Sequence, residues 1–133
     1  MRQTDNHSHV ILVVDDQEAN RELLHAILGS RGYGVIEARD GLEAVKIAKS
    51  ERPDLILMDL SMPVMDGFEA VRLLREVPEV REVPIIACTA HDTRSHCVQA
   101  IGVGFNDFLP KPIDFTQLDY MLEQFLKAGS PGH

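Results

Sequence analysis

Three aspartates, a threonine and a lysine of this 133-residue chain sit at or just beyond the ends of short apolar runs. Val10-Ile11-Leu12-Val13-Val14 leads into Asp15 and Asp16, Leu55-Ile56-Leu57-Met58 into Asp59, Ile85-Ile86-Ala87-Cys88 into Thr89, and Phe108-Leu109 towards Lys111. If these ends converge, the carboxylates collide. Two at about 4 Å repel by roughly 4 kcal/mol at an effective dielectric near 20, and a divalent cation relieves that cost. A donor set made only of oxygens suits Mg²⁺, which keeps several waters and accepts phosphate oxygens as further ligands. Lys111 and the Thr89 hydroxyl would supply a positive charge and a donor to another anionic oxygen. Metal, anion and carboxylate together point to phosphoryl transfer, where positioning and charge neutralisation contribute most of the catalysis. Aspartate can itself be the nucleophile, forming an acyl phosphate.

Convergence requires a particular scaffold. The apolar runs alternate with helical periodicity, the signature of βαβ crossovers and a parallel sheet. Ala19, Leu23 and Ile27 recur at i+4, Leu42, Val45 and Ala48 at i+3, and Leu118, Met121, Leu122 and Phe125 form one apolar face. Asp40 and Asp114 stand where N-caps belong. Gly29, Gly32, Pro53, Gly102 and Gly104 punctuate the connections. The expected fold is α/β and flavodoxin-like: a five-stranded parallel sheet, order 2-1-3-4-5, with five helices on both faces. Pro110 donates no ladder hydrogen bond, so its strand must lie at an edge, where this order puts it. Strand 1 then neighbours strand 3, bringing Asp15 and Asp16 beside Asp59, and ligands bind beyond the carboxyl ends of such strands.

Composition narrows the function classes. One domain is expected, residues 10–126, with a flexible N-terminal tail over 1–9 and a C-terminal tail or linker stub over 127–133. A net charge of −8 offers no basic patch to displace counterions, so direct nucleic-acid contact is not expected. Two cysteines, no signal peptide and no long apolar run indicate a cytoplasmic protein without membrane insertion.

Four motifs in this order resemble one family closely. Val13-Val14-Asp15-Asp16, Met58-Asp59-Leu60-Ser61-Met62-Pro63-Val64-Met65-Asp66-Gly67, Thr89-Ala90 and Phe108-Leu109-Pro110-Lys111-Pro112 look like those of a response-regulator receiver domain of two-component signalling, including the chemotaxis regulators. The resemblance implies that Asp59 accepts a phosphoryl group from a histidine kinase or histidine phosphotransfer protein. It implies that Asp16, Asp59 and the Ser61 backbone carbonyl bind Mg²⁺, with Asp15 acting mainly through water. Lys111 would pair with phosphoryl oxygens. Thr89 and Phe108 would form the switch that reshapes the surface of the fourth helix, fifth strand and fifth helix for a downstream protein target. Ser61 and His91 would govern access of water to the site, and Lys111-Pro112 would be a cis bond. The domain would assist its own phosphorylation and dephosphorylation without being an enzyme in the ordinary sense.

Other readings compete with this one. A Mg²⁺-dependent aspartyl-phosphate phosphatase wants a second acid two residues after the nucleophile, and Ser61 stands there instead. A phosphorylation-independent docking module usually lacks one of the acids, the threonine or the lysine, and all are present. Asp15-Asp16 could be a turn and helix cap, and Phe108 and Cys88 could be plain core. His91, His96 and Cys97 match no standard zinc spacing. His25, beside the apolar stripe of helix 1, reads as a surface or boundary residue. Only seven residues follow Leu126, so output is expected through protein contact or onward transfer. The chain could be a stand-alone regulator or a receiver excised from a hybrid kinase.

Overall fold

The computed structural model describes residues 9–60, 67–89 and 104–127. Five strands, β1 (Val10–Val14), β2 (Gly34–Ala38), β3 (Leu55–Asp59), β4 (Ile85–Thr89) and β5 (Asp107–Pro110), form one parallel sheet in the order β2-β1-β3-β4-β5. The helices described are α1 (Glu18–Ser30), α2 (Gly41–Glu51), α3 (Gly67–Leu74) and α4 (Phe115–Leu122), the last continuing as a π-turn over Glu123–Lys127. The remaining helix expected between β4 and β5 falls in residues 90–103, outside the described residues. Pro110 is in β5, at the sheet edge, as its missing donor requires.

Strand residues alternate between the two faces, and both faces are covered. Leu12, Val14, Ile56, Met58, Ile85 and Ala87 pack with Ala44, Ala48, Ala70, Val71 and Leu74 of α2 and α3. Ile11, Val13, Leu55, Leu57, Ile86 and Cys88 pack with Leu24, Leu28, Leu118, Met121 and Leu122 of α1 and α4. This two-sided burial is why the strands read as continuous apolar runs.

Two helix faces differ from the sequence reading. On α1 the buried residues are Leu24 and Leu28, whereas Ala19 is exposed and Leu23 is 51% exposed. The helix carries two apolar stripes with the same i+4 spacing, and periodicity alone does not say which faces the sheet. On α2 the buried residues are Gly41, Ala44 and Ala48, with Val45 packed against the core, so of the expected stripe only Leu42 points outward, at 48% exposure. Small side chains let α2 approach the sheet closely, and the larger Leu42 lies off that seam. The stripe on α4 is as expected, with Leu118, Met121 and Leu122 buried and Phe125 packed against them.

Local signals set the helix starts. The Asp40 carboxylate accepts from Glu43 N at 2.8 Å, and Glu43 reaches back to accept from Arg39 N at 2.7 Å. Asp114 accepts from Thr116 N and Gln117 N at 2.9 and 3.3 Å. Each such cap contributes about 1 kcal/mol.

Beyond α3, Arg75 closes the layer beneath β4. Its guanidinium donates to Gly104 O at 3.0 and 2.7 Å, to Arg81 O and Val83 O at 2.8 Å each, and to Asn106 Oδ1 at 2.7 Å. Asn106 Oδ1 also accepts from Ile85 N at 2.8 Å, so the clamp ties the entrances of β4 and β5 together. Gly104 has φ of 142°, and a Cβ there would stand 3.2 Å from Arg75 Cγ, so both backbone and space favour glycine.

Candidate functional site: an acid cluster at the carboxyl rim

The alternation of β1 and β3 determines which way the acids point. Asp15 continues the face of Ile11 and Val13, and Asp59 continues the face of Leu55 and Leu57. The β1–β3 register pairs Val14 with Met58, so the next residues, Asp15 and Asp59, become neighbours. Asp59 is in turn opposite Cys88, Cys88 opposite Leu109, and Lys111 lies two residues beyond Leu109 on the same face. The ends of four strands thus deliver Asp15, Asp59, Cys88 and Lys111 to the rim above α1 and α4.

The carboxylate oxygens of Asp15, Asp16 and Asp59 come within 4.8 Å of one another. Asp15 and Asp59 are buried, at 4% and 5% exposure, and Asp16 is exposed. Lys111 Nζ stands 3.7 Å from Asp15 Oδ2 and 3.5 Å from Asp59 Oδ1. Both separations exceed the roughly 2.7–3.2 Å of a direct hydrogen bond, so the ammonium sits between two acids as a charge rather than docked on either. Three carboxylates against one ammonium leave two negative charges in excess. Each pair at this spacing repels by roughly 3 kcal/mol at an effective dielectric near 20, and by less where Asp16 meets water. The donor set therefore fits a small hard dication: oxygens only, two of the three acids fixed and buried, one open to solvent.

Asp15 is held on each of its polar atoms. Its N–H donates to Ala38 O at 3.1 Å, Oδ1 accepts from Gln17 N at 2.9 Å, and Oδ2 accepts from Asn20 Nδ2 at 3.3 Å. Its carbonyl accepts from Arg21 Nη1 at 2.9 Å. Asn20, Arg21 and Gln17 were not singled out as site residues in the sequence. The available signal was their place in the first turns of α1, where polar side chains five and six residues past Asp15 can fold back onto it.

The other expected site residues are placed as follows. Thr89 ends β4 opposite Pro110; its side chain, like Ser61 and His91, lies outside the described residues. Phe108 sits on β5 beside Ala87, half-buried against the α2–α3 side of the core. The Lys111-Pro112 bond is cis, as the resemblance implied. Cys88 lies under the acids, and burial pushes its thiol up to about 12; Lys111 opposes that shift while Asp59 and Asp15 add to it. A cavity of about 240 Å³ adjoins the acids, its wall including Val13, Leu23, Leu57, Cys88, Ile113 and Phe115. His25 is half-exposed on α1 and contacts Glu37 Oε2 at 2.7 Å, a surface position as expected.

Known proteins share both the sequence and this architecture. The response regulator receiver domain family matches residues 11–123. The response regulator PleD of Caulobacter vibrioides is 46% identical over 108 residues, covering 81% of this chain and 24% of PleD. The response regulator MprA of a Mycobacterium species is 40% identical over 121 residues, 91% of this chain and 52% of MprA. The chain thus spans about a quarter and about half of these relatives. Among solved structures, the chemotaxis protein CheY4 of Vibrio cholerae superimposes with a TM-score of 0.84 at 32% identity, covering 88% of this chain and 98% of CheY4. The receiver domain of a sensor histidine kinase from Pseudomonas aeruginosa has a TM-score of 0.83 at 38% identity, covering 90% of this chain and 98% of that domain. That structure carries a magnesium ion coordinated in its active-site cleft. With the sheet order, the acid rim and the matched span all in agreement, the chain belongs to the response regulator receiver domain family.

Proposed function

We propose that this domain is a phosphoacceptor in a two-component or phosphorelay system, with Asp59 as the residue that takes the phosphoryl group. The observation that carries the reading is the meeting of three carboxylates within 4.8 Å, beside a lysine 3.5 Å from Asp59. Asp15, Asp16 and Asp59, with the Ser61 carbonyl, would hold Mg²⁺. When bound, the ion supplies charge neutralisation for the acids and the phosphoryl oxygens. The donor is the phosphohistidine of a histidine kinase or phosphotransfer protein. An Asp59 carboxylate oxygen attacks phosphorus, the P–N bond breaks, and the released imidazole nitrogen recovers its electron pair and takes up a proton. Lys111 orients and neutralises the transferred group from the β5 side, and Asp15 keeps the site's acid turn in place.

The phosphoryl group carries about two negative charges, and since Asp59 gives up its own carboxylate charge the rim gains about one net negative charge. Thr89 and Phe108 act as the switch, passing that change to the β5 edge, where a downstream protein reads it. Ser61 and His91 tune the entry of water and so the lifetime of the phosphate. Exposed Leu23 on α1, next to the apolar cavity, offers a phosphodonor protein somewhere to rest beside Asp59. The signalling role places the domain in the cytoplasm; no described helix is long and apolar enough to cross a membrane. A docking role independent of phosphorylation gains no support from a rim that concentrates acids at an energetic cost.

The test is intact-protein mass after incubation with acetyl phosphate, with and without Mg²⁺, for wild type and Asp59→Asn. One added phosphoryl mass that needs both Mg²⁺ and Asp59 is expected. Equal labelling of Asp59→Asn, or labelling indifferent to a chelator, would overturn the assignment.

A further inference from the structure

The peptide between Asp15 and Asp16 joins two of the three acids, so its orientation decides whether both carboxylates reach the same point. Backbone pairing holds only the preceding peptide, through Asp15 N–H to Ala38 O. The carbonyl lies beyond the last residue of β1, and among the described residues no backbone N–H pairs with it. Arg21 takes that role. Its Nη1 donates to Asp15 O at 2.9 Å, and its Nε donates to Glu37 Oε1 on β2 at 3.2 Å. The Arg21 side chain is only 11% exposed, so this fork is formed in a largely desolvated place where a guanidinium needs every partner it has. Glu37 is itself held on its other oxygen, 2.7 Å from His25 Nδ1. One residue earlier, Asn20 Nδ2 reaches Asp15 Oδ2 at 3.3 Å.

We infer that Arg21, braced by Glu37, is a positioning residue that sets the affinity of the acid cluster for its divalent cation. This inference rests on the phosphoacceptor reading, because it assumes that the acids bind Mg²⁺. The physical argument is that Asp16 is exposed and makes no side-chain hydrogen bond among the described residues, so nothing but its backbone aims it at the cluster. A carbonyl held by one donor of a planar guanidinium whose other donor is anchored on Glu37 loses its freedom before the metal arrives. Residues that orient metal ligands from behind typically change metal affinity by about 10–100-fold when removed. Lysine would not substitute, since one ammonium nitrogen cannot span a carbonyl and a carboxylate with fork geometry.

The experiment is titration with MgCl₂ alone, followed by calorimetry and by amide shifts of Asp15, Asp16 and Gln17, on wild type, Arg21→Gln, Arg21→Lys, Glu37→Gln and Arg31→Gln. Arg31 makes a two-pronged pair with Asp119 at the far end of α1, so its variant weakens the anchoring of the same helix without touching the acid turn. Expected is a rise of about tenfold or more in the Mg²⁺ dissociation constant for Arg21→Gln, a nearly equal rise for Arg21→Lys, and a smaller one for Glu37→Gln. Arg31→Gln should lower the melting temperature and leave Mg²⁺ affinity within twofold of wild type. In acetyl phosphate labelling, Arg21→Gln should need more Mg²⁺ for half-maximal rate yet reach the wild-type rate at saturation.

If folded Arg21→Gln binds Mg²⁺ within twofold of wild type, or if Arg31→Gln weakens binding as much, the inference fails. Should Arg21→Gln not fold, Arg21→Lys and Glu37→Gln decide by the same criterion. If wild type itself binds no Mg²⁺, the phosphoacceptor reading fails and this inference with it.

Discussion

At the carboxyl rim three carboxylates share one ammonium, while on the α3 side a single guanidinium is surrounded by neutral acceptors. The two regions handle buried charge in opposite ways. Arg75 spreads its charge over three backbone carbonyls and an amide oxygen, a closed arrangement to which a further group would add nothing. Burial lowers its pKa from the ordinary arginine value. The acid rim is open instead, and an incoming cation would lower its energy. Stability resides in the first kind of site and responsiveness in the second.

The strongest way to break this comparison is to remove a group from each region and ask what is lost. Asp59→Asn should reduce phosphoryl incorporation by at least about 100-fold, as a nucleophile's removal does, while the fold persists by circular dichroism. Arg75→Met should do the reverse. Losing a network of charge-assisted hydrogen bonds and leaving carbonyls unpaired should cost on the order of 3 kcal/mol in urea unfolding. Labelling of the molecules still folded should stay near wild type. If Arg75→Met instead abolishes labelling at full stability, the clamp belongs to the switch, and the two regions do not divide stability from responsiveness.

A smaller effect sharpens the reading of the rim. Asp16→Asn removes one of three mutually repelling charges, so without Mg²⁺ it should stabilise the domain by about 1 kcal/mol at low salt, and by less at high salt where the exposed charge is screened. Mg²⁺ should raise the melting temperature of wild type, and the same variant should lose that rise. A stability cost in metal-free buffer would mean that Asp16 makes a favourable contact in the fold, and that the cluster is not strained.

Much of this was legible in sequence because the strands are buried on both faces. Continuous apolar runs located β1, β3 and β4 within a residue, and Pro110 at an edge supported the order of the sheet. The acid rim followed from order plus alternation. Helix orientation did not follow: on α1 the Leu24–Leu28 and Leu23–Ile27 stripes have identical spacing, and only packing chooses between them. The bracing of Asp15 was hidden for a different reason. Arg21 and Glu37 are sixteen residues apart and meet only because β2 pairs with β1, so no local pattern announces them.

The smallest expected effect lies between the two regions in character, at a buried group that carries no charge while folded. Cys88 faces Asp59 across the β3–β4 pair, and its thiol is pushed from 9.0 to about 12, first by burial. The folded protein thus keeps the proton through a range in which the unfolded chain releases it. Stability from this source is intact below about pH 9 and declines as pH rises towards 12. Between pH 8 and 9.5 wild type should lose somewhat under about 1 kcal/mol more than Cys88→Ala, read as the difference in urea midpoints. Because Lys111 opposes the shift, Lys111→Met should push the thiol higher still and steepen the decline at more alkaline pH. Equal pH profiles for wild type and Cys88→Ala would show that the thiol ionises freely in the folded state. The floor of the acid site would then be wet, and the low dielectric that makes three carboxylates costly would be absent.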